Sequence, residues 1–184
     1  MNKDHEFMGE ALILAENALK EGEFPVGCVI TLNGSIRVKS RRKASNGSLP
    51  SEITHAEILA IRELESLVPA AMRHKATLYA TMEPCLMCYA AILLSGIGRV
   101  VWAYEDAMGG GTACDLSTLP PLYGERQPDI RPALRREESL ALFMKFFRNP
   151  KNAYWKNSLL ARYTLAGGRS LPEAVRPQIR GQGI

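Results

Sequence analysis

The chain has 184 residues, a formal net charge of +4 and four cysteines. Its 46% hydrophobic content is enough to bury a core and excludes an intrinsically disordered chain, and four cysteines over this length do not make a disulfide framework. No apolar stretch approaches the length of a membrane span and Met1 to Glu6 lacks the apolar core of a signal peptide, so the expectation is one cytoplasmic protein with no membrane partner.

Phe7, Ala11, Leu14, Ala15, Ala18 and Leu19 recur at helical spacing and predict an amphipathic first helix ended by Glu21-Gly22. Val26 to Leu32 reads as a strand, Asn33-Gly34 as a tight hairpin turn and Ile36 to Val38 as the returning strand. A helix beginning at about His55 follows, with Ile58, Leu59, Ile61 and Leu64 as its apolar positions, and then a strand from Thr77 to Thr81. Pro84 suits the first turn of a second long helix, which carries Cys85, Cys88 and the run Ala90 to Leu94 and stops near Gly96. A strand through Val100 to Ala103 precedes a loop rich in Gly and Pro from Asp106 to Leu122. Glu137 to Phe147 is a further helix, with Leu140, Phe143, Met144 and Phe147 on one side, and Asn152 to Leu165 a peripheral one ended by Gly167-Gly168. Strands alternating with helices imply a sheet covered by helices. The expected organisation is one domain over residues 1–150 and a basic, helical C-terminal extension over 151–184 with a mobile end.

Two short segments carry the chemistry: His55-Ala56-Glu57 and Pro84-Cys85-Leu86-Met87-Cys88. His55, Cys85 and Cys88 are three ligands for one Zn2+ per chain, which leaves the fourth tetrahedral position open, as catalysis requires. Both groups fall at expected helix N-termini, where the partial positive charge favours thiolate over thiol. A closed structural site would need a fourth protein ligand from His5, His74, Cys28 or Cys114, none of which has paired ligand spacing. Glu57, two residues past His55, stands beside the metal as a proton shuttle, or else completes a Thr54-x-x-Glu57 capping box with no chemical role.

The complete pattern resembles the cytidine deaminase-like superfamily of zinc-dependent nucleobase deaminases, whose signature is H-x-E followed by P-C-x-x-C. It is most similar to the bacterial tRNA adenosine deaminase-like branch, through Glu23-Phe24-Pro25-Val26-Gly27-Cys28-Val29-Ile30, His55 to Ala60 and Tyr79 to Cys88. Asp106-Ala107-Met108-Gly109-Gly110-Gly111 and Glu138-Ser139-Leu140 leading to Phe146-Phe147-Arg148 extend the resemblance, which runs from about Phe7 to Arg148. It implies an α/β fold, a three-layer α/β/α sandwich with a five-stranded mixed sheet, in a homodimer with active sites near the subunit interface. The implied reaction is hydrolytic removal of an exocyclic amine, with zinc activating water and Glu57 as catalytic proton shuttle.

The resemblance also supplies candidate substrate contacts. Pro25, Val26 and Gly27 would line the base pocket, Gly27 by allowing close backbone approach, although Val26 reads equally as strand core. Met82 and Glu83 would present backbone groups to the base, or Glu83 would cap the cysteine helix; Asp106 joins them from the later stretch. The related deaminases usually place a substrate-contacting asparagine on the second strand, where counting forward from Pro25 reaches Arg41-Arg42. Either Asn46, in the turn-like Lys43 to Gly47, takes that place through a shifted loop, or Arg42 has altered the pocket.

From Lys145 to Ile184 there are eight basic residues against the single acid Glu173, with Tyr154, Trp155 and Tyr163 interleaved. That pattern fits either an RNA-contacting surface or a helix whose aromatics pack on the core. Three functions are therefore on the table: deamination of adenosine in tRNA; deamination of a free base, nucleoside or nucleotide such as guanine, cytosine or a cytidine derivative; and a noncatalytic zinc protein.

Overall fold

A computed structural model describes residues 3–169. Its elements run α1 (Lys3–Lys20), β1 (Gly27–Leu32), β2 (Ser35–Arg41), α2 (Ala56–Leu67), β3 (Ala76–Met82), α3 (Leu86–Ser95), β4 (Arg99–Tyr104), α4 (Pro121–Gly124), β5 (Asp129–Arg131), α5 (Arg136–Arg148) and α6 (Leu159–Leu165), with short 3-10 segments at Ala70–Lys75 and Leu116–Thr118. The five strands form one mixed sheet in the order β2-β1-β3-β4-β5. β1 is antiparallel to both β2 and β3, and the β3–β4 and β4–β5 pairs are parallel. The expected α/β/α architecture is present.

Alternation along the strands assigns the two faces. Cys28, Ile30, Leu78, Ala80 and Val100 bury against α2 and α3, with Ala60, Leu64 and Ile92 opposite them. Val29, Tyr79, Val101 and Ala103 bury against Met8, Ala11, Leu12 and Ala15 of α1. Because side chains in a strand point alternately to opposite faces, adjacent residues of β1 and β4 belong to different layers.

The small residues of α1 let it lie almost on the backbone of β1. A Cβ on Gly27 would sit 2.0 Å from the Ala11 carbonyl oxygen and 2.8 Å from the Ala15 amide nitrogen. Gly27 is therefore demanded by helix packing, which corrects the expectation that its missing side chain serves the base. Gly27→Ala should cost about 3 kcal/mol, the upper end of overpacking penalties, because neither helix backbone nor strand can yield cheaply. Chemical denaturation measures it, and a loss under about 1 kcal/mol would contradict this packing account.

Several boundaries differ from expectation for identifiable reasons. Pro84 lies outside α3, whose N-cap is Cys85 in extended conformation. β5 has no counterpart among the expected strands, because three residues, two of them charged, carry no apolar alternation. The expected loop after Asp106 holds the 3-10 segment and α4, both too short to show periodicity. The expected helix from Asn152 forms only from Leu159, N-capped by Ser158, whose side chain accepts from the Ala161 amide. Before it, the Asn152 side chain accepts from the Tyr154 amide and Trp155 has φ 50, a left-handed value that a right-handed helix does not admit.

Leu160, Ala161 and Tyr163 of α6 are buried in the same cluster as α2 and α3. The Tyr163 hydroxyl donates to Glu105 at 2.6 Å, and Arg136 donates to the same carboxylate at 2.7 Å. Gly167 and Gly168, at φ 82 and 66, follow the helix as expected. The mobile end expected for the extension lies outside the described residues, as do Arg176 and Arg180.

Candidate active site

His55 is the N-cap of α2 and Cys85 the N-cap of α3, so the two ends converge as the spacing implied, with Cys88 one turn into α3. Single ligand atoms of His55, Cys85 and Cys88 all lie within 4.8 Å of one another. The Nδ1 atom of His55 is 3.6 Å from Cys85 Sγ and 3.4 Å from Cys88 Sγ. Tetrahedral zinc with ordinary Zn–S and Zn–N bonds separates sulfur from nitrogen by about 3.6 Å, so the donor set fits that ion. Among the described residues this is the one converging group, and His5, His74, Cys28 and Cys114 do not join it. Three protein donors and no fourth make an open site, unlike a closed structural one.

The electrostatics suit metal capture. Hydrogen bonding to Cys88 and to His55 outweighs burial at Cys85 and brings its thiol down to about 4. The same bond holds the Cys88 proton on, so Cys88 is pushed well up, with burial adding to it. At His55 burial opposes charge, but the Cys85 hydrogen bond and the neighbouring Glu57 prevail and raise it. Cys28, which is fully buried in β1, is pushed up by burial and remains a core thiol.

Glu57 is 3% exposed, and its Oε2 atom lies 3.7 Å from Cys88 Sγ. Burial raises its pKa, with the nearby His55 pulling the other way. The capping-box alternative does not form: α2 has no side-chain cap bond, and the Thr54 hydroxyl is 2.7 Å from that of Ser51. The glutamate thus sits buried beside the three donors without being one of them.

A cavity of about 80 Å³ opens on these groups, lined by His55, Ala56, Glu57 and Cys85 and by Phe24, Val26, Arg42, Met82, Glu83, Asp106, Gly109, Tyr154 and Trp155. Of the expected substrate contacts, Val26, Arg42, Met82, Glu83 and Asp106 therefore reach it, and Pro25, Gly27 and Asn46 are not in its lining. Asn46 is exposed, its amide donating to the Glu21 carbonyl at 3.2 Å. Arg42 is the residue at the pocket, only 2% exposed, with Nη1 donating to Thr54 O and Nη2 to Ser51 O, each at 2.5 Å.

Glu83 neither caps α3 nor offers its amide to the cavity. Its backbone N–H donates to Tyr104 O at 2.7 Å, and its carboxylate accepts from the Thr112 hydroxyl at 2.5 Å and the Asp106 amide at 3.2 Å. It thereby ties the Asp106 loop to the start of α3. Asp106 in turn accepts from the Met108 and Gly109 amides, both at 3.0 Å. A Cβ on Gly111 would lie 2.7 Å from the Leu86 backbone nitrogen, so only glycine lets the loop pass this close to the ligand-bearing turn. Phe24, Tyr154 and Trp155 also line the pocket: Phe24 belongs to the Glu23 to Ile30 stretch, while Tyr154 and Trp155, aromatics interleaved with basic residues, carry no local signal that separates a pocket wall from an RNA-contacting surface or core packing.

The model of the cytidine and deoxycytidylate deaminase zinc-binding region matches residues 1–104. The tRNA-specific adenosine deaminase of Bacillus subtilis is 33% identical over 162 residues, covering 85% of this chain and 98% of that protein. That of Streptococcus pyogenes serotype M18 is 39% identical over 144 residues, covering 77% of this chain and 88% of its own length. A solved structure from studies of A-to-I editing by tRNA:A34 deaminases shares 32% identity and a TM-score of 0.63, over 74% of this chain and 98% of that one. The guanine deaminase of Nitrosomonas europaea, at 20% identity and a TM-score of 0.60 over 77% of this chain and 83% of that one, shares the fold. With the family model covering more than half of the chain and the three metal donors of the motif converging, this chain belongs to the cytidine and deoxycytidylate deaminase zinc-binding family, as a zinc-dependent nucleobase deaminase of the tRNA adenosine deaminase branch.

Proposed function

We propose that the enzyme converts adenosine to inosine in tRNA, with His55, Cys85 and Cys88 holding the zinc and Glu57 moving the proton. The similarity to tRNA-specific adenosine deaminases over nearly their full length carries the substrate assignment. Bound at the three donors, zinc supplies the Lewis acidity that makes a water nucleophilic near neutral pH. Glu57 accepts one proton from this water and delivers it to a ring nitrogen of the base, then takes the remaining proton of the added hydroxyl and delivers it to the departing amine. Water adds to the amine-bearing carbon, ammonia leaves and a carbonyl remains, so atoms and charge balance. Burial of Glu57 raises its affinity for a proton.

An RNA base has to leave its stack to reach so enclosed a cavity, so the target is an unpaired loop position. In this reading residues 1–150 form the catalytic domain and 151–184 an extension that adds Lys151, Lys156 and Arg162 near the substrate. The protein acts in the cytoplasm as a homodimer. Exposed Leu86 and Leu94 on α3, with Leu119 and Leu122 nearby, support pairing through that side. Among the described residues no helix is long and apolar enough to cross a membrane.

The test is inosine formation in bulk tRNA beside ammonia release from adenosine, cytidine, cytosine and guanine. Inosine should appear in tRNA, and binding of the RNA should weaken steeply with salt, by a log–log slope of about 0.7 per phosphate contacted in a single-stranded loop. Robust deamination of a free base with no inosine in tRNA would replace this substrate with a small molecule.

A further inference from the structure

The side of the cavity away from the β-sheet motifs is built by a segment from far along the chain. Tyr154 and Trp155 stack on each other with ring centroids 5.0 Å apart and planes 10° apart. Each meets Phe24 edge-on, at 5.4 and 5.8 Å, so three aromatic rings share the lining with His55 and Glu57.

This wall is fastened to the loop that ends in His55. The Tyr154 hydroxyl donates to Glu52 at 2.9 Å and accepts from Arg42 Nη2 at 3.4 Å, and the Arg42 guanidinium carbon lies 5.9 Å from the Tyr154 ring centroid. The same guanidinium holds the carbonyls of Ser51 and Thr54. One buried arginine therefore joins the outer wall of the cavity to the residue immediately before a metal donor. At about 80 Å³ the cavity is small beside ligand pockets, so a base needs part of the lining to give way; Tyr154 and Trp155 lie between α5 and α6, outside the helices and strands that carry the metal donors and Glu57.

We propose that residues 152–157 are a movable aromatic wall of the base site, in which Trp155 stacks on the incoming base and Arg42 is the positioning residue that latches the wall to the His55 loop. The inference rests on the deaminase reading and deepens it. It assigns base recognition to ring stacking from the C-terminal segment, and explains an arginine on the second-strand side of the pocket as a latch. A planar base between three rings and the metal donors gains stacking irrespective of its hydrogen-bonding edge.

The experiment uses the full-length zinc-loaded protein with Trp102→Phe, which leaves Trp155 as the single tryptophan. Emission is followed during titration with adenosine, cytidine, guanine and a hairpin RNA with an unpaired adenosine loop, whether or not turnover occurs. The expected result is saturable quenching by the ligand that is also deaminated. Trp155→Ala should raise KM for that ligand about 5- to 100-fold with little change in kcat, and Trp155→Phe should restore most of it. Arg42→Lys, which can no longer fork between two carbonyls, should reduce the quenching amplitude and raise KM while zinc content holds. Unchanged Trp155 emission at saturating substrate, or wild-type KM in Trp155→Ala, would overturn the wall. Quenching by a base without any deamination would count against the enzymatic reading alone.

Discussion

Glu57→Gln should retain zinc at about one ion per chain and lose turnover by about 10²- to 10⁴-fold, the usual contribution of a positioned general acid–base group. The amide keeps the size of the side chain and fills the same buried position, so the three metal donors remain supported. It cannot accept the proton released by water or hand one to the ring nitrogen. Because the transfer is needed in the transition state, kcat and kcat/KM should fall together while substrate binding changes little. Metal analysis, binding and turnover on one preparation separate this from a structural role. A glutamine variant with near-wild-type turnover would remove Glu57 from the mechanism, whatever its stability.

The second large effect is loss of the metal itself. Cys85→Ser combined with Cys88→Ser should reduce zinc from about one per chain to near none and abolish deamination, since one imidazole cannot hold the ion alone. Chelation of the unaltered protein should do the same reversibly, with activity returning in proportion to zinc added. The hydrogen bond between the two thiols lowers Cys85 and raises Cys88, so more of the proton released on metal binding should come from Cys88 than from Cys85. Full zinc retention in the double variant would show that other groups hold the metal.

His55, Glu57, Cys85 and Cys88 were legible because their chemistry is written at short range. A donor and a carboxylate two residues apart, and two donors three apart, each set starting a helix, need only one long-range event, the meeting of two helix ends. The existence of β1, β3 and β4 and the apolar side of α1 were legible for the same reason: strand and helix patterns are local. Where local rules compete, a short segment admits more than one structure. Thr54-x-x-Glu57 has the form of a capping box, yet Thr54 pairs with Ser51 and the glutamate turns inward to the cysteines. Asn46 and Arg42 were both open as pocket residues, and only the course of the loop after β2 turned Arg42 inward and left Asn46 at the surface.

By itself the sequence determined the donor set, the presence of Glu57 two residues from one donor and the covering of a sheet by helices, because residue type and spacing confine what each short segment can do. The mixed character of the sheet was implied only by the family resemblance. Tertiary structure decided what fills the space around them. Gly27 serves the approach of α1, Glu83 anchors the Asp106 loop, and Tyr154 and Trp155 close a cavity whose metal donors lie about 70 to 100 positions earlier. Contacts across such separations leave no periodicity to read: they depend on how whole elements pack, and that packing is fixed only when the complete core forms.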